Sequence, residues 1–224
     1  MNNVKTLIIR FANEIRQQDL RFFRGAVIAA VGQSDSTLFH NHDGEGFRYR
    51  YPLIQYKRIH KKAAIVCVGE GCDEIGAFFS RSDFRLQLGN QAEQLFEIEM
   101  VTPHRTVVQT WNDGFVYYIN NWLPLNKENY QSYQQLEGIA DRAQMLERIL
   151  TGNILSACKG FGITIEGHIE NKILQLDAPH PSIYKGVSWT NFDAVVRSNV
   201  SLPDYIGLGK GASLGHGIIT SRKS

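Results

Sequence analysis

The sequence predicts an α+β fold with antiparallel sheets, arranged as two tandem domains at residues 1–92 and 93–224. In the first half, β-type runs and apolar stripes at helical spacing follow one another in the order βαββαβ, which is the ferredoxin-like (RRM-like) pattern. The second half again combines β-type runs with a long helical stripe. The length of 224 residues suits two domains with cores of ordinary size.

The elements of the first domain are predicted from apolar periodicity and from turn residues. Between Ile15 and Val31, apolar residues recur at three- and four-residue steps, and Gly32 stands where the helix is expected to end. The β-type runs on either side of residues 60–62 have the spacing of a hairpin. In chain order, we predict a strand at 4–13, a helix at 15–31, strands at 48–59 and 63–69, a helix at 70–81 and a strand at 83–89.

The second domain is predicted from a turn signal and one long stripe. Asn112-Asp113-Gly114 stands between two β-type runs and indicates a hairpin turn. Apolar residues at helical spacing between Ile139 and Ile154 predict the longest helix, at residues 138–158, with Gly152 as a point of strain. Further strands are predicted in the segments ITIEGHI, KILQLD, FDAVVRS and GIITSRK.

The overall charge does not mark a nucleic-acid-binding protein. Lys and Arg number 24 against 22 Asp and Glu, for a net charge of +2 and a pI near 8.4, below the value of about 9 that usually indicates such binding. Positive charge is nevertheless concentrated locally. Residues 47–62 contain six Lys or Arg and residues 205–224 contain three, and neither segment has an Asp or Glu.

The cysteines and the apolar runs exclude several classes. Cys67, Cys72 and Cys158 are an odd number without CxxC spacing, so neither a disulfide framework nor a thiolate zinc site is indicated. No run reaches the roughly 18 apolar residues of a membrane span, and the N-terminus lacks the pattern of an export signal. We therefore expect a cytoplasmic protein without a membrane partner.

A glycine-rich segment, GLGKGASLGHG, occupies residues 207–217. Glycines allow backbone N–H groups to approach an anion closely and permit positive φ, so the glycine cluster favours a phosphate partner. The segment matches neither the Walker A loop nor GxGxxG, and a flexible tail or a tight turn between strands is the alternative. The candidate phosphate-binding residues are Gly207, Gly209, Lys210, Gly211, Ser213, Gly215, His216 and Gly217.

The spacing of this segment resembles a family signature. Apart from the polar His216, it fits GhGxxxxxGhG, where h is hydrophobic, the signature of the RAMP superfamily of CRISPR-associated RNA-binding proteins. The chain resembles the repeat-RNA processing endoribonucleases of that superfamily, in the subtype I-B-like branch, through FRGAVI (23–28) and LFHNHDGEGFRYRYPLIQYK (38–57). The resemblance implies two ferredoxin-like domains and no cofactor. The implied partners are precursor CRISPR repeat RNA and the proteins of a CRISPR effector complex, with the enzyme as a monomer or homodimer.

The resemblance also implies a chemistry for the histidine loop before Arg48. The family cleaves RNA without a metal: a ribose 2′-OH attacks the adjacent phosphate, which leaves a 2′,3′-cyclic phosphate and a 5′-OH. His40 and His42 are the implied acid and base, in an order that the sequence does not decide, because imidazoles exchange protons near neutral pH. Tyr49 is a candidate partner, either to orient a histidine or to donate a hydrogen bond, and Lys57 is a candidate source of permanent positive charge.

RNA is expected to contact the basic segment as well. Arg48, Arg50 and Arg58 share residues 47–62 with interleaved aromatic residues, so one segment offers both phosphate neutralisation and base stacking. Three alternatives stay open. The first is that the arginines form a solvated hairpin face and contact no RNA. The second is that the protein binds RNA without cutting it. The third is that the two histidines begin a metal-dependent nuclease site completed by Asp43, Glu45 or His104.

Overall fold

The computed structural model describes residues 2–32, 51–184 and 186–222. The chain divides into two compact units. The N-terminal unit consists of Asn3–Thr106 together with Ser213–Gly215, and the C-terminal unit of Met1–Asn2, Val107–Ala212 and His216–Ser224. None of the helices in the described residues is long and apolar enough to cross a membrane.

The N-terminal unit is a ferredoxin-like domain. Its four-stranded sheet has the order β2-β3-β1-β6, and β3 pairs antiparallel with both β1 and β2. The strands of the sheet are β1 (Asn3–Glu14), β2 (Ile54–Ile59), β3 (Lys62–Val68) and β6 (Ile98–Val107), and the helices are α1 (Leu20–Val31), α2 (Gly71–Glu74) and α3 (Gly76–Arg81). A short ribbon of β4 (Arg85–Leu86) and β5 (Gln94–Leu95) stands apart from the sheet.

Aromatic packing forms the core of this unit. The ring of Phe23 on α1 stacks on Phe96 at 5.4 Å between centroids and meets Phe11 and Tyr56 edge-on at 5.7 and 5.9 Å. Each of these four side chains is at most 1% exposed. Pairs of this kind add about 0.5–1.5 kcal/mol each beyond the burial of their area. The predicted strand β1 and the β2–β3 hairpin are confirmed, and so is helix α1 from Leu20 onward. Residues 15–19 of the predicted helix and residues 51–53 of the predicted strand lie outside these elements.

The fourth strand of the sheet differs from the prediction. The run 83–89 alternates apolar and polar residues but supplies only the two residues of β4, because Phe84 and Gly89 take positive φ angles of 61° and 62° and interrupt the extended chain. The strand that lies beside β1 is instead β6. The compact units accordingly divide at residues 106 and 107, whereas the domain boundary predicted from the sequence lies at residues 92 and 93.

The C-terminal unit has the same strand order as the N-terminal unit when β7, β8, β10 and β11 are matched in chain order with β1, β2, β3 and β6. Its sheet runs β11-β7-β10-β8, with β9 paired to β10 and antiparallel pairing throughout. The elements are β7 (Thr110–Trp122), α4 (Lys127–Gln135), α5 (Ile139–Gly160), β8 (Asn171–Leu176), β9 (His180–Tyr184), β10 (Val187–Val200) and β11 (Ile218–Ser221). The long predicted helix is confirmed as α5, which continues through Gly152.

Two local predictions in this unit are wrong. Asn112-Asp113-Gly114 lies inside β7 rather than at a turn, and none of the three residues has the positive φ that a type I′ turn requires. The side chain of Arg197 on β10 packs directly against Gly114, which accounts for the missing Cβ at that position. The segment ITIEGHI forms no strand, whereas the other three predicted runs become β8, β10 and β11.

Candidate functional site

The glycine-rich segment follows β10 and leads into β11. Its first part runs antiparallel to β11: the amide of Tyr205 donates to the carbonyl of Ile219 at 2.7 Å, and the amide of Leu208 donates to that of Gly217 at 2.8 Å. In a ferredoxin-like domain, the second helix is expected at this place in the chain. Residues 201–217 form no helix, so the glycine-rich segment occupies that position.

Four of its glycines adopt conformations that other residues avoid. Gly209, Gly211, Gly215 and Gly217 have φ angles between 61° and 81°. A Cβ on Gly217 would overlap the carbonyl oxygen of Leu208, and a Cβ on Gly209 would lie 2.8 Å from Oδ1 of Asn153. The glycines are therefore required by the packing of the segment, independently of any ligand.

Three residues of the segment belong to the N-terminal unit, where they extend the free edge of β2. The amide of Tyr56 donates to the carbonyl of Ser213 at 2.9 Å, and Tyr56 and Leu214 form a parallel bridge. Nε2 of Gln17 donates to the carbonyl of Gly215 at 3.2 Å. Ser213 is thereby fixed beside the strand that carries Lys57.

Lys57 is buried on β2, with 0% of its surface exposed. Loss of hydration disfavours the ammonium form and lowers the pKa of Lys57 from its ordinary 10.5 to about 7. From the sequence, a permanent positive charge is expected at Lys57. The structure instead places a lysine that changes charge near neutral pH.

The remaining predicted RNA-binding residues differ in exposure. Arg58 is exposed at the end of β2, where its Nε donates to the carbonyl of Ile15 at 2.8 Å. Lys210 is half-buried, with its Nζ 3.5 Å from the ring centre of Trp189. His216 is 5% exposed, and its Nδ1 lies 3.3 Å from the carbonyl oxygen of Asn121. In this conformation the imidazole of His216 faces protein backbone, whereas Arg58 and Lys210 reach the surface.

Five predicted site residues, His40, His42, Arg48, Tyr49 and Arg50, lie outside the described residues. Within the described ranges, no three His, Cys, Asp or Glu side chains are grouped so as to hold a metal ion. The structure thus locates Lys57 and the glycine-rich segment but leaves the placement of the histidine pair a prediction.

The chain is similar to known proteins over nearly its whole length. The Cas6b N-terminal domain family matches residues 2–106, and the Cas6b C-terminal domain family matches residues 109–222. A crystal structure of Cas6b is 27% identical, with a TM-score of 0.87 over 98% of this chain and all of the other. One described as the CRISPR RNA processing endoribonuclease Cas6b is 24% identical, with a TM-score of 0.74 over 98% of this chain and all of the other.

A relative known from sequence is an uncharacterized protein of Methanocaldococcus jannaschii, 32% identical over 102 residues, which are 46% of this chain and 68% of that protein. The resemblance to repeat-RNA processing proteins of the RAMP superfamily is confirmed by the two domain matches. Since these matches follow each other from residue 2 to residue 222, with a ferredoxin-like sheet in each unit, the chain belongs to the Cas6b family.

Proposed function

We propose that this chain is an endoribonuclease that binds CRISPR repeat RNA and cuts precursor transcripts without a metal ion. The observation that carries the proposal is the match of both Cas6b domains in order along the chain. The backbone amides and Lys210 of the glycine-rich segment support an RNA-binding role, because they are suited to contact phosphates.

The reaction we propose is an internal transesterification. The 2′ oxygen of one nucleotide attacks the phosphorus that joins it to the next, and the bond from phosphorus to the 5′ oxygen breaks. A base accepts the 2′ proton and an acid supplies a proton to the departing 5′ oxygen, so no water or cofactor enters the step. The products are a 2′,3′-cyclic phosphate and a 5′-OH.

We assign the two proton transfers to His40 and His42, with Tyr49 as the residue that orients one of them. An imidazole changes charge near neutral pH, so a pair on one loop can divide the roles of base and acid. Each such transfer contributes about 10²–10⁴-fold to a rate. Loss of both histidines is therefore expected to abolish measurable cleavage.

We assign Lys57 a positioning role, because its side chain is closed to solvent in this structure. It lies on β2, within the basic segment at residues 47–62, next to Tyr56, whose amide donates to the carbonyl of Ser213 in the glycine-rich segment. The phosphate contacts are assigned to Arg48, Arg50, Arg58 and Lys210, together with the backbone amides of the glycine-rich segment. We extend this role to delivery of the cut RNA to a CRISPR effector complex in the cytoplasm, by a monomer or homodimer.

Cleavage of repeat RNA in EDTA tests the chemistry. We expect wild-type protein to cut the RNA at one position in EDTA, and to leave intact an RNA with a 2′-deoxy nucleotide at that position, because the attacking hydroxyl is missing. Cutting of the deoxy RNA would contradict the proposal. Activity that disappears in EDTA and returns with a divalent cation would instead indicate a metal-dependent nuclease.

Histidine variants test the assignment of residues. We expect the His40→Ala/His42→Ala double variant to bind the RNA and leave it uncut. His168→Ala is the matched control, since His168 is exposed and distant in sequence from the loop. Tight binding without product from wild-type protein would show a non-catalytic RNA-binding member of the family.

A further inference from the structure

A groove in the C-terminal unit lies between helix α4 and the β9–β10 hairpin. Its volume is about 930 Å³, within the range of about 300–1,000 Å³ that is usual for sites binding small organic groups. Tyr130 and Tyr133 line it from α4, and Trp189 lines it from β10. None of these residues belongs to the glycine-rich segment or to the histidine loop.

The aromatic side chains of the groove are held at different depths. Tyr133 is 9% exposed and packs edge-on against Phe192 with ring centres 5.7 Å apart, so it is fixed by the core. Tyr130 is 38% exposed, and its hydroxyl accepts from Nε2 of Gln134 at 2.9 Å. An exposed ring beside a fixed one offers an incoming planar group a surface on which to stack.

The indole N–H of Trp189 is a hydrogen-bond donor without an acceptor among the described residues. Its indole nitrogen is shielded from solvent and has no hydrogen-bond partner in the described part of the chain. A buried donor without a partner is unfavourable, and tryptophan N–H groups usually find an acceptor when buried. Nζ of Lys210 lies 3.5 Å from the centre of the same ring, which adds a positive charge beside Trp189.

The charges around the groove have one sign. Lys127 and Arg142 line it, and among its described lining residues none is an Asp or Glu. The guanidinium of Arg142 lies 5.3 Å from the ring centre of Tyr133, while its Nε donates to the carbonyl of Leu136 at 2.8 Å, which holds it in place. Planar aromatic surface surrounded by cations and hydrogen-bond donors is the chemistry that recognises a base together with its phosphates.

We propose that this groove binds an unstacked nucleotide from a single-stranded part of the RNA, whose base stacks on Tyr130 and Trp189. The adjoining phosphates lie against Lys127 and Arg142. The identity of the RNA as CRISPR repeat RNA rests on the function proposed above. The groove itself is a second contact region for the RNA, lined by residues outside the glycine-rich segment and the histidine loop.

Binding of uncleavable repeat RNA, with a 2′-deoxy nucleotide at the cut position, tests this proposal. We expect Tyr130→Ala and Trp189→Ala each to weaken binding by about 5- to 150-fold, the loss typical of removing one aromatic partner of a base. Tyr130→Phe and Trp189→Phe keep a stacking surface and should bind within about threefold of wild type. Wild-type affinity in both alanine variants would overturn the proposal.

The matched control is Trp111→Ala. Trp111 is 43% exposed, lies outside the groove and donates from Nε1 to Ser201 at 2.7 Å. We expect this variant to bind like wild type. An equal loss for Trp111→Ala, or a loss in the phenylalanine variants as large as in the alanine variants, would also overturn the proposal.

A fluorescent base placed at successive positions of the RNA then locates the nucleotide. With 2-aminopurine, we expect one position to change its emission when wild-type protein binds, and to lose that change in Trp189→Ala. The absence of any position with this difference would contradict stacking in the groove. Because these measurements use RNA that is not cut, they remain informative if the wild-type protein has no nuclease activity.

Discussion

Replacement of Lys57 by methionine should change how the stability of the protein depends on pH. The folded protein holds this amine away from water with its pKa lowered from 10.5 to about 7. In the unfolded chain, the amine recovers its ordinary pKa and stays protonated up to about pH 10. Between these values the unfolded chain binds more protons than the folded one, so the free energy of unfolding rises with pH from about 7 to about 10.

The magnitude follows from the two values. Each pKa unit corresponds to about 1.4 kcal/mol, so protonation of Lys57 disfavours the wild-type fold by about 4 kcal/mol at pH 7 and by about 2 kcal/mol at pH 9. Methionine has a similar length and no charge. We therefore expect the difference in unfolding free energy, Lys57→Met minus wild type, to fall by about 2 kcal/mol between pH 7 and pH 9.

Urea unfolding of both proteins at pH 7, 8 and 9 measures this difference. Loss of a contact made by the amine changes the unfolding free energy of the variant by the same amount at all three pH values. The change with pH of the difference between the two proteins reports the titration of Lys57 alone. Lys159→Met is the control for the loss of a lysine as such, because Lys159 is exposed on the last turn of α5. Parallel pH dependence in wild type and Lys57→Met would refute a lysine that loses its proton near neutral pH.

Other substitutions test the glycine-rich segment and the RNA contacts. Gly217→Ala should destabilise the protein by more than about 2 kcal/mol in thermal or urea unfolding, since its φ is +61° and its Cβ would overlap the Leu208 carbonyl. Gly152→Ala should instead stabilise α5 by about 0.5–1 kcal/mol, because nothing lies within 4 Å of the added carbon; lower stability would reveal a packing constraint. Arg58→Gln and Lys210→Gln should each weaken RNA binding and make log K fall less steeply with log salt, by about 0.7 for single-stranded RNA. An unchanged salt slope in both variants would show that the phosphates lie elsewhere.

Much of the fold could be predicted from local pattern. The β2–β3 hairpin followed from two apolar runs at close spacing, although its turn is made by His60 and Lys61, which both take positive φ without being glycine. Helices α1 and α5 followed from apolar stripes, most of whose residues become the buried faces of the helices, although Ile139 at the start of α5 is 84% exposed. These elements are visible in the local sequence because they depend on residues close together in the chain, or on an apolar face whose pattern is the same whichever element packs against it.

Elements fixed by distant partners were not predictable in the same way. The run 98–107 has the same β character whichever domain it joins, and only its place beside β1 assigns it to the N-terminal sheet. Asn112-Asp113-Gly114 satisfies the local rule for a turn, but pairing of β7 with β10 keeps the chain extended there. In both cases, long-range strand pairing outweighs local preference.

The candidate site likewise has features that the local sequence reveals and features that depend on distant residues. The spacing of the glycines pointed to the correct family, because the positive φ angles and close backbone contacts at Gly209 and Gly217 exclude larger residues. The burial of Lys57 gave no such signal, since alternation places it on a face with Gln55, and two polar residues read as a solvated face. The groove beside Trp189 draws residues from α4, α5 and β10, so proximity in sequence does not reveal it.

The chemical ends of RNA cut in EDTA test the central claim most directly. Mass spectrometry of the fragments should find a 2′,3′-cyclic phosphate on the upstream piece and a 5′-OH on the downstream piece, with neither formed by the His40→Ala/His42→Ala variant. A 3′-OH paired with a 5′-phosphate, the ends left when a metal-activated water attacks the phosphorus, would contradict the account.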